Sequence, residues 1–520
     1  MKKIIFIFSL TGLSLMLALT SCDDWFDLHP QSESILEDYW RDESDVKSVV
    51  ASCYRAMNEI GFMERLLIWG EIRSDNVIQG STQNTDIDHF LNLTLNATNG
   101  YTSWNEFYRV INYCNTVIYY APAVREKDPN FTEGQLRAYL AEVKGIRALC
   151  YFTLIRTFRD IPFLTAPTFD DSESFEVPQS DPDEIIRALI DDLKEIQNSA
   201  IAHYEDVLYD KGRITRKAIW ALIADMSLWI NDYQTCIDYC DKVLSPENNL
   251  SWESSQTYYQ RLFVTGLSTE SIFELRFNAL QNFAATEMYS MYSGNGRSGQ
   301  NVYRVSAFDF NNTTTPLFGI TDLRAKDFLG PLENGRYPVM KYTAYRSRIN
   351  TSGAVYISDY APISCWHWIF YRLSDIYLMK AEALVESGNN QANREAAFAC
   401  ITKTYDRANP DLGEGSLNFS SYNTQTAMRN LVFDERQREF LFEGKRYFDL
   451  LRRIKREGDY RNVVSTYLFR KYMHLDQATV RSKINDEDAL YMPINETELK
   501  NNRKLVQNPF YKLSSDINKN

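Results

Sequence analysis

Positive charge is in deficit and histidine is scarce. The 520 residues hold 56 Lys and Arg against 69 Asp and Glu, a formal net charge of −13, with only 5 His. That balance argues against a nucleic-acid partner, since binding phosphates needs a positive face, and against cationic adhesion to a membrane. The His residues (29, 89, 203, 367 and 474) are scattered, with no helical pairing for a metal. There is no H-E-x-x-H, G-x-S-x-G, C-x-x-C or Walker-type lysine loop, so the common signatures of metalloprotease, esterase, redox and nucleotide-hydrolysing chemistry are missing. We expect no catalytic residue, no metal and no cofactor. No Pro/Gly/Ser-rich linker interrupts a composition that is 44% apolar and 14% aromatic, so one large core with long loops fits better than beads on a string. Cysteine offers no disulfide framework either: after Cys22, positions 53, 114, 150, 236, 240, 365 and 400 are odd in number and irregularly spaced. Cys236 and Cys240, one helical turn apart on an apolar face, read as buried thiols.

What is present starts at the N-terminus. Lys2 and Lys3 precede an apolar run from Ile4 to Leu19, shorter than the roughly 20 residues needed to cross a bilayer. Charge, short apolar run and small residues in that order form a secretory signal over residues 1–21. Leu19-Thr20-Ser21-Cys22 resembles the bacterial lipobox, which makes Cys22 the expected lipidation site; an ordinary signal with a nearby Cys is the alternative. Lipobox-type modification supplies at least two acyl chains, enough for stable anchoring. No later stretch is apolar enough to span a membrane, so the chain is expected to lie on one.

Helical periodicity dominates the chain beyond Cys22. Ile219, Leu222, Ile223, Met226 and Ile230 share one stripe, Asn231-Asp232 makes a polar turn, and Cys236, Ile237, Cys240, Val243 and Leu244 continue the spacing to Pro246. This unit of about 34 residues has the tetratricopeptide period. A second pair is predicted at 371–387 and 392–407, and a third from 103–120 with 133–158. Such pairs must stack to bury their apolar faces. The fold class is therefore mainly α, a tetratricopeptide-type helix-pair solenoid carrying a loop-rich irregular subdomain. The expected divisions are 22–245, a loop-rich insertion at 246–365, and 366–520.

Residues 60–100, 160–180, 246–365 and 410–424 lack helical period, with β-like runs such as Ile272 to Phe277. A segment as long as 246–365 is either functional or a subdomain. Its Gly294-Asn295-Gly296-Arg297-Ser298-Gly299 matches a dinucleotide fingerprint but lacks the flanking strand and helix that motif requires, and reads as a loop. Carboxylate pairs such as Asp170-Asp171 and Asp191-Asp192 leave a hydrolase open, because their separation across a cleft is invisible in sequence. Lys445-Arg446, Arg452-Arg453 and Lys455-Arg456 stand near Glu435, Glu439, Glu443 and Asp449, which favours a salt-bridged helix over an anion site.

Several segments, in order, resemble the SusD/RagB family of outer-membrane nutrient-uptake lipoproteins. They are Cys22 to Pro30, Trp69 to Asn76, Trp104 to Asn115, Gly145 to Phe152 with Asp160-Ile161-Pro162, Arg372 to Ala383, Glu435 to Phe440, Glu443 to Leu450, and Met492-Pro493-Ile494 with Gln507-Asn508-Pro509. The resemblance implies a partner, a TonB-dependent SusC-like barrel over which the protein sits as a lid, and a glycan ligand. Asp23 and Asp24 behind the lipidated Cys imply display on the outer face of the cell outer membrane. Family sites lie on loops matching 71–90 and 281–304 here, which offers Glu71, Arg73, Asn76, His89, Phe90, Tyr289, Tyr292, Tyr303 and Arg304; Asp75 in the same stretch reads as structural. Aromatic faces and polar groups in such a mix suit sugars. These stretches contain no Trp, a departure from many starch-type sites, and Trp366 and Trp368 border a helix. A peptide-capturing lid, a structural tetratricopeptide adaptor and a surface hydrolase are the alternatives.

Overall fold

The computed structural model describes residues 39–80, 84–169, 176–277, 291–292, 305–308, 316–330, 337–342, 344–349, 355–360, 367–458 and 460–512. The signal segment, Cys22 and the G-x-G-x-x-G loop lie outside them.

Helix α1, Glu43–Met57, opens on Asp42, whose carboxylate accepts the Ser44 backbone N–H at 2.9 Å. Helix α2 is Ile60–Leu67, strand β1 is Val77–Gln79 and helix α3 is Thr85–Leu91. The long pair comes next, α4 at Asn105–Lys127 and α5 at Glu133–Phe158. In α4 the buried residues Phe107, Val110, Ile111, Cys114, Val117, Ala121 and Val124 repeat at three and four, and the helix packs on both α1 and α5. The α5 start is a capping box: Thr132 Oγ1 accepts the Gln135 N–H and Gln135 Oε1 accepts the Thr132 N–H.

Helix α6 is Pro182–Ile196 and the short α7 is Val207–Gly212. The second pair is α8, Arg216–Trp229, and α9, Tyr233–Val243. Asn231 turns the chain with φ 62°, and Asp232 caps α9 by accepting the Thr235 N–H. Asn tolerates this left-handed conformation better than most residues. After α9 come β2, Ser271–Arg276, β3, Val305–Ala307, and the hairpin strands β4, Ala344–Ile349, and β5, Val355–Tyr360. Strand β6, His367–Arg372, pairs antiparallel with β2 and runs directly into α10, Leu373–Ser387. Helix α11 is Gln391–Ala408, α12 is Gln425–Glu439 and α13 is Arg446–Glu457.

Helix α9 packs on α10, α10 on α11, and α12 on both. The second and third helix pairs are therefore neighbours in the stack although 246–365 separates them in sequence. The fold is mainly α, a tetratricopeptide-like stack. One apolar cluster runs through most of the described chain, and a second, including Leu378, Ile401, Met428 and Leu431, fills the α10–α11–α12 interface.

Most expected helix boundaries fall within two residues, but α4 runs seven residues past the expected 120 to Lys127, and α2 and α3 lie in 60–100, where the sequence lacks helical period. One start moves: the helix expected from Tyr371 begins at Leu373, because Tyr371 and Arg372 are the last residues of β6 and Asp375 accepts the Arg372 N–H. The six described Cys other than Cys22 and Cys365 are buried free thiols.

The cluster at 435–456 is corrected. It is two helices broken between Phe440 and Lys445, where Phe442 and Gly444 take φ 68° and 70°. Pairs along one helix do form, as in Arg452 with Asp449 and Arg453 with Glu457. Most of the partners, however, lie on other elements: Arg446 on Asp75, Arg452 on Glu382, Lys445 on Asp375 and Glu443 on Lys341 and Arg372. The bend turns these charges inward, where they meet partners on other elements as well as on their own helix.

Candidate ligand-binding site

Strand β1 pairs antiparallel with β3, Val77 opposite Ala307, Ile78 opposite Ser306 and Gln79 opposite Val305. The Phe308 N–H extends the ladder to the Asn76 carbonyl at 2.8 Å. In this two-stranded seam, β1 lies inside the expected stretch 71–90, and β3 begins one residue beyond the expected stretch 281–304. Asn84 caps α3 by accepting the Ile87 N–H, and Gln79 donates to the Asp88 carboxylate at 3.3 Å, tying helix to seam. Burial raises the Asp88 pKa from its ordinary value of 3.8. Ile78, Gln79, Asp88, His89 and Phe308 are part-exposed along this edge.

Beside α3, Arg73, His89 and Phe90 line one pocket with Tyr447, Tyr472 and Tyr511. The Arg73 guanidinium lies 4.2 Å from the centre of the Tyr447 ring and donates to the Leu490 carbonyl, while its other terminal nitrogen is buried without a hydrogen-bond partner. The cavity measures about 60 Å³, room for roughly two waters at ~30 Å³ each. Ligand pockets run to roughly 300–1,000 Å³, so no sugar ring fits inside; a ligand here would lie across the mouth.

Glu71, Asn76 and Tyr292 are placed differently. All three are fully buried, so a surface ligand meets none of their side chains. The Glu71 carboxylate accepts from Asn76 Nδ2 at 2.7 Å, from the Phe442 N–H at 3.1 Å and from the Gly444 N–H at 3.0 Å. Burial raises its pKa to about 7 against the opposing pull of those three donors. Asn76 Oδ1 in turn accepts from Gln437, and the Tyr292 hydroxyl donates to the Phe442 carbonyl. These residues form a lock between Trp69–Asn76 and the Phe440–Lys445 bend. Asp75, read as structural, sits in the same lock: burial alone would raise its pKa, but Arg446 and Arg470 outweigh it and hold it at about 2. Tyr289, Tyr303, Arg304 and Trp366 lie outside the described residues, and Trp368 is buried.

Sequence reasoning missed the Gln79–Asp88 link and the pocket tyrosines. Tyr447 stands inside a segment already singled out, but nothing in the sequence set it opposite Arg73.

Among known families, one described as the SusD family matches residues 319–511, and one described as starch-binding, associating with outer membrane, matches 24–228. Two SusD-like proteins of Formosa agariphila are each 23% identical, one over 84% of this chain and 89% of its own length, the other over 87% and 91%. A SusD superfamily protein from Bacteroides vulgatus superposes with a TM-score of 0.72 at 18% identity, covering 91% of this chain and 100% of its own. A laminarin binding SusD-like protein superposes with a TM-score of 0.66 at 20% identity, covering 90% and 99%.

Proposed function

This chain belongs to the SusD/RagB family, and on that premise we propose that it captures glycan at the cell surface and passes it to a TonB-dependent SusC-like barrel without chemical change. The reading has three supports. A family matched here is described by starch binding and outer-membrane association. A structural neighbour is described as binding laminarin. The seam supplies the third and carries the reading: β1, inside 71–90, pairs with β3, which begins one residue beyond 281–304, next to a helical stack. Recognition residues are best placed on loops that such a scaffold holds. The insertion 246–365 contributes one side of that seam and the N-terminal region 22–245 the other, with 366–520 completing the stack. Cys22 carries the lipid anchor, which holds the protein on the outer face of the outer membrane.

The ligand lies across the seam, where His89 is part-exposed and the nearly buried Phe90 and Arg73 back the surface; Tyr289, Tyr303 and Arg304, outside the described residues, are nominated as contacts by the sequence alone. Losing an aromatic stacking face costs ~0.5–1.5 kcal/mol, roughly a 2- to 10-fold loss of affinity. Affinity electrophoresis through a panel of neutral polysaccharides should retard the wild-type protein on at least one of them. Tyr289→Ala with Tyr303→Ala should weaken that retardation while the fold is retained. Unchanged retardation of a folded double variant would place recognition elsewhere, and capture of peptides with no polysaccharide retarding the protein would favour the peptide-binding lid.

A further inference from the structure

On another part of the surface, α1, α7 and the end of β2 enclose a groove of about 620 Å³, within the range of a small-ligand site. Its charge is the reverse of the chain's. Among the described residues Lys47, Arg213 and Arg276 line it and no acidic residue does, in a protein whose net charge is −13. Arg213 is neutralised by Glu142 at 2.6 Å from behind. Lys47 and Arg276 have no ion-pair partner among the described residues, and the Arg276 Nε is buried without a hydrogen bond. Asn58 lines the same wall, its amide nitrogen donating to the Arg276 carbonyl. Tyr209 adds an aromatic ring that is 55% exposed, and Phe277 an apolar wall.

We propose that this groove is a second saccharide site, separate from the seam, that takes an acidic sugar bearing a carboxylate or sulfate. The anion meets Arg276 and Lys47, as guanidinium and ammonium groups favour oxyanions. The C–H face of the sugar lies on Tyr209. The anionic group answers the two cations that have no acidic partner. The inference rests on the glycan-capture reading for its ligand class but uses none of the seam residues.

Isothermal titration of the purified protein with a galacturonic acid tetramer, its methyl ester and a sulfated galactan tetramer tests it. At least one anionic tetramer should bind, weakening as salt rises, while the neutral ester does not; comparing the two acids separates carboxylate from sulfate. Arg276→Gln with Lys47→Gln should lower that affinity roughly tenfold or more, leaving retardation on neutral polysaccharides unchanged. Should that pair disturb folding, Tyr209→Ala at its exposed position must lower the affinity instead. Equal binding of acid and ester, or full affinity in the folded variants, overturns the proposal. So does retardation by neutral polysaccharide with neither anionic tetramer bound, which leaves the seam reading standing. A protein that binds no saccharide of either kind overturns both.

Discussion

A Cβ on Gly70 would stand 1.8 Å from the Gly444 carbonyl oxygen, so backbone must move before any side chain fits there. This contact seats Trp69–Asn76 on the Phe440–Lys445 bend. Gly70→Ala should cost ~1–3 kcal/mol or more in urea unfolding, while Gly134→Ala, with nothing within 4 Å, should be neutral or slightly stabilising. The acids of the lock also fix how stability varies with pH. Glu71 holds its proton up to about 7 against an ordinary 4.5, so the folded state binds the proton more tightly and stability falls as pH rises through that window. Asp75 and Glu443 are lowered to about 2; their stabilisation is complete above about 4 and is lost as pH falls towards 2. Unfolding midpoints from pH 7 down should therefore rise, then drop. In Glu71→Gln the rise between about 4.5 and 7 should shrink to the part that Asp327 supplies, whose pKa burial also raises to about 7, while the acid drop stays; an undiminished rise would contradict the assignment. Asp75 was legible as structural. The burial of Glu71 and Asn76 was not, since the groups that cover them lie more than 300 residues along the chain.

Glu439, near the end of α12, gathers four donors from four elements. Arg372 Nη1 gives 2.5 Å, the Ser374 hydroxyl 2.8 Å and Arg324 Nη1 3.1 Å, and Arg407 completes the set. Burial would raise its pKa, but Arg407, Arg372 and Arg324 hold it well below the carboxylate range. The same network reaches Glu270, Asp322 and Lys341 in the long excursion, so the ions fasten that segment to the helical stack. Removing one partner of a buried pair leaves uncompensated charge, which costs ~3–5 kcal/mol. Glu439→Ala should lose that much, whereas Lys500→Ala in an exposed pair should change stability by less than about 1 kcal/mol. Equal effects in denaturant titrations would mean that the network contributes nothing. The long paired helices were legible because a repeat of 3.6 residues is a local signal, whereas α2 and α3, of eight and seven residues, are too short to show one; β2 was legible because Ile272 to Phe277 reads as a strand. Its partner β6 was not, because pairing partners roughly a hundred residues apart leave no local trace.

At the scale of the whole molecule, a family fold was legible from ordered segments that prove to be mutual contacts. The Met492 N–H bonds the Thr157 carbonyl, and Gln507 brackets Ile494 with two bonds at 2.8 Å. The site was legible only as a pair of stretches, and burial withdraws Glu71, Asn76 and Tyr292 fully and Arg73 and Phe90 nearly so. Among the described residues no helix is long and apolar enough to cross a membrane. The proposed anchor is the lipid on Cys22. Cys22→Ala should leave the protein unlipidated and soluble in cell fractionation; membrane retention of that variant with no lipid by mass spectrometry would refute the anchor. Capture at the surface achieves nothing without a passage, and capping a barrel should bury more than the roughly 1,600 Å² of a standard interface. The most direct test is affinity purification of the tagged protein from native outer membranes in mild detergent. The lid account predicts that a large TonB-dependent barrel co-purifies in near-equal amount; repeated recovery of the protein without any such barrel would contradict it.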